Sequence, residues 1–244
     1  MSKTILVTRS KGDEHELTEA LQQLGHFVIH EPLTEIFLNH TIRAEVEQAM
    51  REEPDAVLIT SKHAAQALAL LSDIRDTCIL AVGTATMEHA MSLGFSRVYD
   101  TGGTLESMLE YIQGGYDDGA RFLYVSGEHI RSDLPEILGS FGMSCQRIIA
   151  YHALAAESLS DTLIAQLKRG QIDAVTFFSP RNVAIFLDLL KRAGCTPASA
   201  ALDLFALSEE VANAAQDATW RHIFIARKPT LASLVDSVDN IYAQ

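Results

Sequence analysis

Short apolar runs and amphipathic stretches alternate along the whole chain. The apolar runs, such as Ala56–Ile59 and Ala174–Phe177, are about four residues long, a length typical of buried strands. The amphipathic stretches have the spacing of helices, and Thr104 and Thr230 have the sequence context of helix N-caps. Short strands that alternate with helices predict βαβ units, parallel sheets and right-handed crossovers.

Two of these units occur twice in the sequence. The run Asp55–Ser61 (DAVLITS) recurs as Asp173–Ser179 (DAVTFFS), and Thr4–Ser10 (TILVTRS) recurs as Arg121–Gly127 (RFLYVSG). A period of about 120 residues has the length of a domain, not of a solenoid repeat. The repeat therefore predicts two similar α/β domains, each a parallel sheet flanked by helices, with a cleft between them. It leaves open which of the shorter units joins which of the longer ones.

Composition and charge narrow the class of protein. Of the 244 residues, 48% are hydrophobic and 21% are charged, which is typical of globular domains. The formal net charge of −13 argues against a nucleic acid partner, because phosphate backbones are bound by basic surfaces. The sequence has no apolar run of membrane-spanning length, and it begins without a signal-peptide pattern. We therefore expect a cytoplasmic protein that has no membrane segment.

The usual signatures of metal, nucleotide and nucleophilic chemistry are missing. The sequence contains no dinucleotide or phosphate-loop motif, no nucleophile elbow and no pair of histidines at zinc spacing. Cys78, Cys145 and Cys195 are widely spaced and odd in number, which favours reduced thiols that pack in the core. Arg221 has the context of a solvated surface charge. We expect neither a metal nor a cofactor.

The residues that follow the predicted strands are candidates for binding an anion. Ligands of parallel α/β sheets bind beyond the carboxyl ends of the strands, where N–H groups at helix N-termini can hold anionic groups. Small hydroxylated residues are also ordinary N-caps, so each turn by itself has two interpretations. Glu128 could orient a carboxylate or pair with Arg131. The candidates are Arg9, Ser10, Thr60, Ser61, Lys62, Gly83, Thr86, Ser126, Gly127, Glu128, Ser179, Arg181 and Ser208.

Several segments, taken together and in order, resemble uroporphyrinogen-III synthases. Each is a common strand–turn–helix sequence, but the resemblance covers essentially the whole chain. The pattern departs from the family at one turn, where Ser208 and Val211 replace the glycine and the threonine of the Val82–Thr86 turn. There, either Ser208 supplies the hydroxyl or the turn donates only backbone groups. The matching segments are Ile5–Arg9, Pro32–Ile36, Asp55–Ser61, Ala81–Thr86, Leu123–Glu128, Phe177–Pro180 and Ala226–Thr230.

The resemblance implies an arrangement of the two domains. It implies α/β domains joined by a two-strand connector, in a protein that is a monomer. Domain one would be residues 1–35 with 155–244, and domain two would be residues 39–150. The connector would be residues 32–38 and 150–154.

The resemblance also implies an activity and a substrate. The family is a cofactor-independent lyase of heme biosynthesis that closes hydroxymethylbilane, a linear tetrapyrrole, to uroporphyrinogen III. The reaction inverts the last pyrrole ring and releases water. The substrate is a polycarboxylate, which suits the candidate turns, and a transient hand-over from hydroxymethylbilane synthase is implied. Tyr151 matches a tyrosine proposed as the catalytic acid of the family; its alternative role is packing in the connector.

Two functions of other classes also fit the sequence. One is a two-domain binding protein that closes on a small molecule without chemistry, and the missing export signal weighs against it. The other is a regulatory domain that has kept the fold and lost the activity. The altered turn at Ser208 keeps this second possibility open.

Overall fold

Strands and helices alternate along the chain in the computed structural model, which describes residues 2–130 and 132–243. The strands of this part of the chain are β1 (Thr4–Val7), β2 (Phe27–His30), β3 (Thr34–Leu38), β4 (Ala56–Ile59), β5 (Cys78–Ala81), β6 (Arg97–Asp100), β7 (Arg121–Gly127), β8 (Ser144–Ala155), β9 (Ala174–Phe177), β10 (Asp203–Ala206) and β11 (His222–Ile225). The helices are α1 (His15–Gln23), α2 (Arg43–Arg51), α3 (Lys62–Leu71), α4 (Thr84–Ser92), α5 (Leu105–Gly115), α6 (Leu134–Ser140), α7 (Asp161–Lys168), α8 (Pro180–Arg192), α9 (Glu209–Ala214) and α10 (Leu231–Tyr242). None of these helices has both the length and the apolar character needed to cross a membrane.

The chain divides into two compact units. The first contains residues 1–35 and 154–244, and the second contains residues 36–153. The chain leaves the first unit within β3 and returns to it within β8. Each unit contains one sheet flanked by helices, so the predicted α/β fold class is confirmed.

The sheet of the first unit has the strand order β11-β10-β9-β1-β2, and neighbouring strands are parallel. Successive side chains of a strand point to opposite faces. Leu6 packs with residues of α7, α8 and α9 on one face, whereas Ile5 and Val7 pack with α1 and α10 on the other. A strand that is buried on both faces must be apolar throughout, which is why the sequence shows short continuous apolar runs.

The sheet of the second unit has the strand order β3-β8-β7-β4-β5-β6. From β8 to β6 the neighbouring strands are parallel. Val57 and Ile59 pack with α2, α3 and α4, and Ala56 and Leu58 pack with α5 and α6 on the opposite face. The two faces of the sheet are therefore covered by different helices, and the carboxyl ends of its parallel strands lie along one edge.

The predicted N-caps Thr104 and Thr230, at the starts of α5 and α10, are confirmed. Thr104 Oγ1 accepts the N–H of Ser107 at 3.1 Å, and the Ser107 hydroxyl accepts the N–H of Thr104 at 3.1 Å. Thr230 Oγ1 accepts the N–H of Ser233 at 3.3 Å at the start of α10. Each contact satisfies an N–H group that has no partner within its helix.

Arg221 lies at the surface as predicted, but its guanidinium also forms an ion pair with the buried carboxylate of Asp203. Asp203, which opens the buried strand β10, accepts from Arg221 Nε at 2.8 Å and from the Tyr242 hydroxyl at 2.6 Å. His222 Nδ1 lies 3.0 Å from the same carboxylate. A carboxylate buried at the start of a strand needs charged or polar partners, and the neighbouring strand β11 and helix α10 supply them. Although burial raises the pKa of Asp203, bonds to Arg221, Tyr242 and His222 lower it to about 2.

The three cysteines are free thiols within apolar surroundings. Cys195 is buried in the cluster of α8 and β9, while Cys78 and Cys145 are half-buried at the sheet of the second unit. Burial is the main cause that raises the pKa of Cys145, to about 12. This thiol is therefore protonated at neutral pH and poorly nucleophilic.

Candidate functional site

The candidate residues lie at or just beyond the carboxyl ends of the parallel strands, in one group for each unit. The group of the second unit is Thr60, Ser61, Lys62, Gly83, Thr86, Ser126, Gly127, Glu128 and Tyr151. The group of the first unit is Arg9, Ser10, Ser179, Arg181 and Ser208. Within each sheet, this is the edge at which ligands of parallel α/β folds bind.

Tyr151 lies near the end of β8, with its ring directly against the backbone of β7. The register between the two strands shifts after Ser126, so that Gly127 pairs with Tyr151 and Ala150 has no paired residue on β7. As a result, Ala150 and Tyr151 both pack against the cluster of α2, α3 and α4, although they are consecutive. A β-bulge redirects a side chain in this way, and here it turns the tyrosine ring towards the start of α3.

The Tyr151 hydroxyl forms a hydrogen bond with the hydroxyl of Ser61, 2.9 Å away. Ser61 is also the N-cap of α3, because its Oγ accepts the N–H of Ala64 at 3.1 Å. The Ser61 proton can then be donated to the tyrosine oxygen. The ring of His63 is adjacent, with its centroid 5.7 Å from that of Tyr151.

Gly127 is needed for the close approach of the Tyr151 ring. A Cβ atom at this position would lie 2.6 Å from Cε2 and 2.7 Å from Cζ of Tyr151, closer than carbon atoms can pack. Gly127 therefore leaves the space that the Tyr151 ring occupies.

We expect Gly127→Ala to slow turnover by about 100-fold, because the added methyl group displaces the Tyr151 ring from its position beside Ser61. Steady-state turnover measures the effect, and thermal unfolding shows whether the fold is kept. Gly114→Ala in helix α5 is the matched control, since a Cβ there meets no atom within 4 Å. Normal turnover of a folded Gly127→Ala protein would show that the position of the Tyr151 ring does not matter for turnover.

Two further hydroxyl groups of the second unit are bound to neighbouring protein groups. Thr60 Oγ1 lies 3.3 Å from the hydroxyl of Tyr124, whose pKa is raised by burial. The buried hydroxyl of Ser126 accepts from Arg147 Nε at 2.9 Å and donates to the Gly127 carbonyl at 3.0 Å. The Ser126 hydroxyl therefore holds its own turn together.

The exposed residue Glu128 follows the Tyr151-facing turn. Its carboxylate lies 3.2 Å from Nδ1 of His152, and its N–H donates to the Tyr151 carbonyl at 3.1 Å. Arg131, the alternative partner considered for Glu128, lies outside the described residues. This contact between Glu128 and His152 joins the turn to β8.

The turn at Gly83 packs closely against the turn that follows β6. A Cβ on Gly83 would lie 3.2 Å from Cα of Gly103, a tight contact that would require the neighbouring backbone to shift. Thr86 is buried in the first turn of α4, and its N–H donates to the Gly83 carbonyl at 3.0 Å. The Asp100 carboxylate accepts from the Thr84 hydroxyl and from the Gly102 N–H, and these two hydrogen bonds tie the turns together. The same bonds lower the pKa of Asp100.

In the first unit, the turn after β1 holds Arg9 over an aromatic ring. The guanidinium carbon of Arg9 lies 4.4 Å from the centroid of Phe178, a cation–π contact. The Arg9 carbonyl accepts from His30 Nε2 at 2.8 Å. Ser10 Oγ lies 2.7 Å from Thr34 Oγ1 and is buried, so this hydroxyl faces inward.

Ser179 and Ser208 are N-caps. Ser179 Oγ accepts the N–H of Asn182 at 3.2 Å, and Ser208 Oγ accepts the N–H of Val211 at 3.4 Å. Together with Ser61, they confirm the capping interpretation for these turns. At the altered turn, the Ser208 hydroxyl thus has a structural role. Arg181 lies in the first turn of α8, where the helix dipole favours an anion.

Sequence reasoning missed Glu14 and His30, which support Arg9. Glu14 is buried and accepts the N–H of Gly12 at 2.5 Å, and its Oε1 lies 3.7 Å from His30 Nδ1. Burial of Glu14 acts to raise its pKa, but bonds from backbone N–H groups and the nearby His30 and His15 lower it overall. A glutamate directly before a helix and a histidine that ends a strand were the available signals.

No group of three or more His, Cys, Asp or Glu side chains that could hold a metal ion occurs within residues 2–130 and 132–243. The groups at the strand ends include hydroxyl groups, cationic side chains, helix N-termini and the phenols of Tyr124 and Tyr151. Fold and site together define a protein of two α/β units, each with a set of polar and cationic side chains at the carboxyl edge of its parallel strands.

Comparisons with known proteins identify the family. A family model described as uroporphyrinogen-III synthase HemD matches residues 15–236. A uroporphyrinogen-III synthase of Chlorobaculum parvum is 26% identical over 200 residues, which covers 77% of this chain and 79% of the relative. The chain belongs to the uroporphyrinogen-III synthase family. Its reaction is accordingly the closure of hydroxymethylbilane to uroporphyrinogen III, a step of heme biosynthesis catalysed by cofactor-independent lyases.

Solved structures agree on the fold. A uroporphyrinogen-III synthase from Helicobacter pylori matches with a TM-score of 0.62 at 16% identity, over 99% of this chain and all of that chain (100%). A mutant uroporphyrinogen III synthase from Thermus thermophilus matches with a TM-score of 0.59 at 16% identity, over 98% of both chains. At this identity the comparison supports the fold alone.

Proposed function

We propose that Tyr151 is the acid that starts the ring closure. The observation that carries this proposal is the bond between its hydroxyl and Ser61 Oγ at the carboxyl edge of the second sheet. In the proposed step, the phenol donates its proton to the terminal hydroxyl of hydroxymethylbilane. The carbon–oxygen bond breaks, water leaves and a cation stabilised by the pyrrole ring remains. Ser61 can stabilise the resulting phenolate by donating its own hydroxyl proton.

The later steps need positioning more than further catalytic groups. The substituted carbon of the last ring attacks the cationic methylene carbon and forms a spiro intermediate. The bond between that ring and the neighbouring methylene then breaks, and the ring recloses through its other carbon with loss of a proton, which the phenolate can take back. Holding reacting atoms in the correct geometry contributes up to roughly 7–11 kcal/mol in ideal intramolecular cases.

We further propose that the strand-end turns of each unit bind carboxylates of the substrate. In the first unit the cationic groups are Arg9 and Arg181, and in the second unit Lys62 follows the N-cap of α3. The N-terminal N–H groups of α3 and α8 lie at the same edges and carry the positive end of the helix dipole. Such local donors can hold a polyanion although the protein has a formal net charge of −13.

The cellular location, the oligomeric state and the delivery of the substrate are also proposals. We propose that the protein is a cytoplasmic monomer that receives its substrate transiently from hydroxymethylbilane synthase. The reactivity of the substrate supports the transfer, because free hydroxymethylbilane closes without inversion. Direct transfer would reduce that loss.

The activity is tested by generating hydroxymethylbilane in situ, adding the protein, oxidising the products and separating the uroporphyrin isomers. We expect isomer III to predominate with the native protein. Isomer I should predominate when the protein is omitted or heat-denatured. Isomer I alone from a folded protein would favour a binding or regulatory role instead.

A further inference from the structure

We propose that Arg147 is a positioning residue that fixes the place of Tyr151 from the opposite face of the sheet. This inference rests on the proposed role of Tyr151. Arg147 is neither one of the candidate turn residues nor part of a helix N-terminus; it lies in the first half of β8.

Arg147 binds three consecutive residues, the last two of β7 and the first one after it. Its Nε donates to Ser126 Oγ at 2.9 Å, and its Nη2 donates to the carbonyls of Gly127 and Glu128, both at 2.8 Å. A planar guanidinium can hold several acceptors in fixed directions, whereas a lysine ammonium cannot reproduce the same fork. Arg147 therefore fixes the backbone that the Tyr151 ring touches.

The strand pattern places the two side chains on opposite faces. Ile148 and Ala150 pack against the cluster of α2, α3 and α4, and Tyr151 joins them because of the register shift. Arg147 pairs with Tyr124, which packs on the other face with α5 and α6. The Gly127 peptide thus lies between the Arg147 guanidinium and the Tyr151 ring.

The register shift needs this support. At the shift, the regular ladder between β7 and β8 is interrupted, and a bulge leaves backbone groups without their usual cross-strand partners. The guanidinium supplies donors to two carbonyls at this point. If the fork is lost, the turn can relax towards a regular ladder, which would turn the tyrosine away from Ser61.

The test compares Arg147→Lys and Arg147→Met with a matched control. Arg121 lies at the opposite end of β7 and likewise donates to a backbone carbonyl, that of Glu53, at 3.1 Å. We expect the two Arg147 variants to lose about 10- to 100-fold in kcat with little change in KM, because a displaced acid lowers the rate of the step but not binding. Arg121→Met should keep the native kcat.

A second measurement tests the position of Tyr151 without relying on activity. The chain has six tyrosines, so the ring signals of protein with 13C-labelled tyrosine can be resolved by NMR, and Tyr151→Phe identifies the signal of Tyr151. We expect that signal to move in Arg147→Lys and to stay in place in Arg121→Met. Arg147→Lys is the deciding variant if Arg147→Met fails to fold.

The outcomes separate this inference from the proposed function. An unchanged Tyr151 signal and an unchanged kcat in Arg147→Lys would overturn the role of Arg147 while leaving Tyr151 as the acid. If Tyr151→Phe itself has native turnover, the proposed acid is wrong, and the catalytic part of the Arg147 inference is overturned with it. Additional support would be non-additivity, since Arg147→Lys should cost little further rate in a Tyr151→Phe background.

Discussion

Replacing Tyr151 by phenylalanine is expected to lower kcat by about 10²- to 10⁴-fold, the usual contribution of a general acid. The substitution removes one oxygen atom and leaves the ring against Gly127, so the packing of β8 on β7 is kept. Because the free substrate closes without inversion, the slower enzyme should also give a larger share of isomer I. Initial rates and the ratio of the oxidised isomers measure both effects.

Tyr111→Phe is the matched control for this experiment. Tyr111 lies on helix α5 with 42% of its surface exposed, so its hydroxyl should not affect the reaction. Ser61→Ala should have a smaller effect than Tyr151→Phe, and the two together should not be additive, because the two hydroxyls form one hydrogen-bonded pair. Native turnover of a folded Tyr151→Phe protein would remove Tyr151 as the acid.

The regular parts of the fold could be predicted from local sequence. The run Ala56–Ile59 is apolar throughout, and Ala174–Phe177 is apolar except for the buried Thr176, because helices cover both faces of each sheet. The strand β8 was harder, because it extends over Ser144–Ala155, well beyond the strands of about four residues that the sequence pattern predicts. Because of the register shift, the consecutive residues Ala150 and Tyr151 pack on the same face of the sheet, so this part of β8 lacks the simple alternation of a regular strand.

The candidate site could be located from sequence but its contacts could not. That Ser61 and Ser179 follow buried strands is visible in the sequence, and both lie at the expected edge. The bond of Ser61 to Tyr151, however, depends on which strands are neighbours and on where the register shifts, which are long-range properties. Arg147 was missed for the same reason, since an arginine in a strand has no local signal for the turn that it binds.

The network around Asp203 leads to the second large expected effect. Asp203→Asn should lower the free energy of unfolding by about 3 kcal/mol. This is the lower end of the usual loss of about 3–5 kcal/mol on breaking a buried ion pair, because Arg221 keeps contact with water. The Asp203 side chain is 5% exposed and that of Arg221 is 37% exposed. Asparagine keeps the volume but loses the charge that Arg221 and Tyr242 bind. Chemical denaturation at pH 7 measures the loss.

A surface aspartate of the same unit provides the control. Asp188 pairs with Arg192 one turn later in helix α8, and both side chains are at least half exposed. An exposed pair of this kind contributes only about 0.3–0.5 kcal/mol. Asp188→Asn should therefore change stability by no more than that amount. Equal effects of the two substitutions would show that the network at Asp203 is not a main contributor to stability.

The pH dependence of the difference between native protein and Asp203→Asn identifies its cause. The pKa of Asp203 is lowered to about 2 in the folded protein, against about 3.9 for an unperturbed aspartate. A carboxylate whose pKa is lower in the folded state binds a proton more readily when the chain is unfolded. Its contribution is therefore complete above about pH 5 and declines as the pH falls towards 2. We expect the stability difference between the two proteins to shrink over this range. A difference that stays constant down to pH 2 would mean that packing, not the charge of Asp203, accounts for the effect.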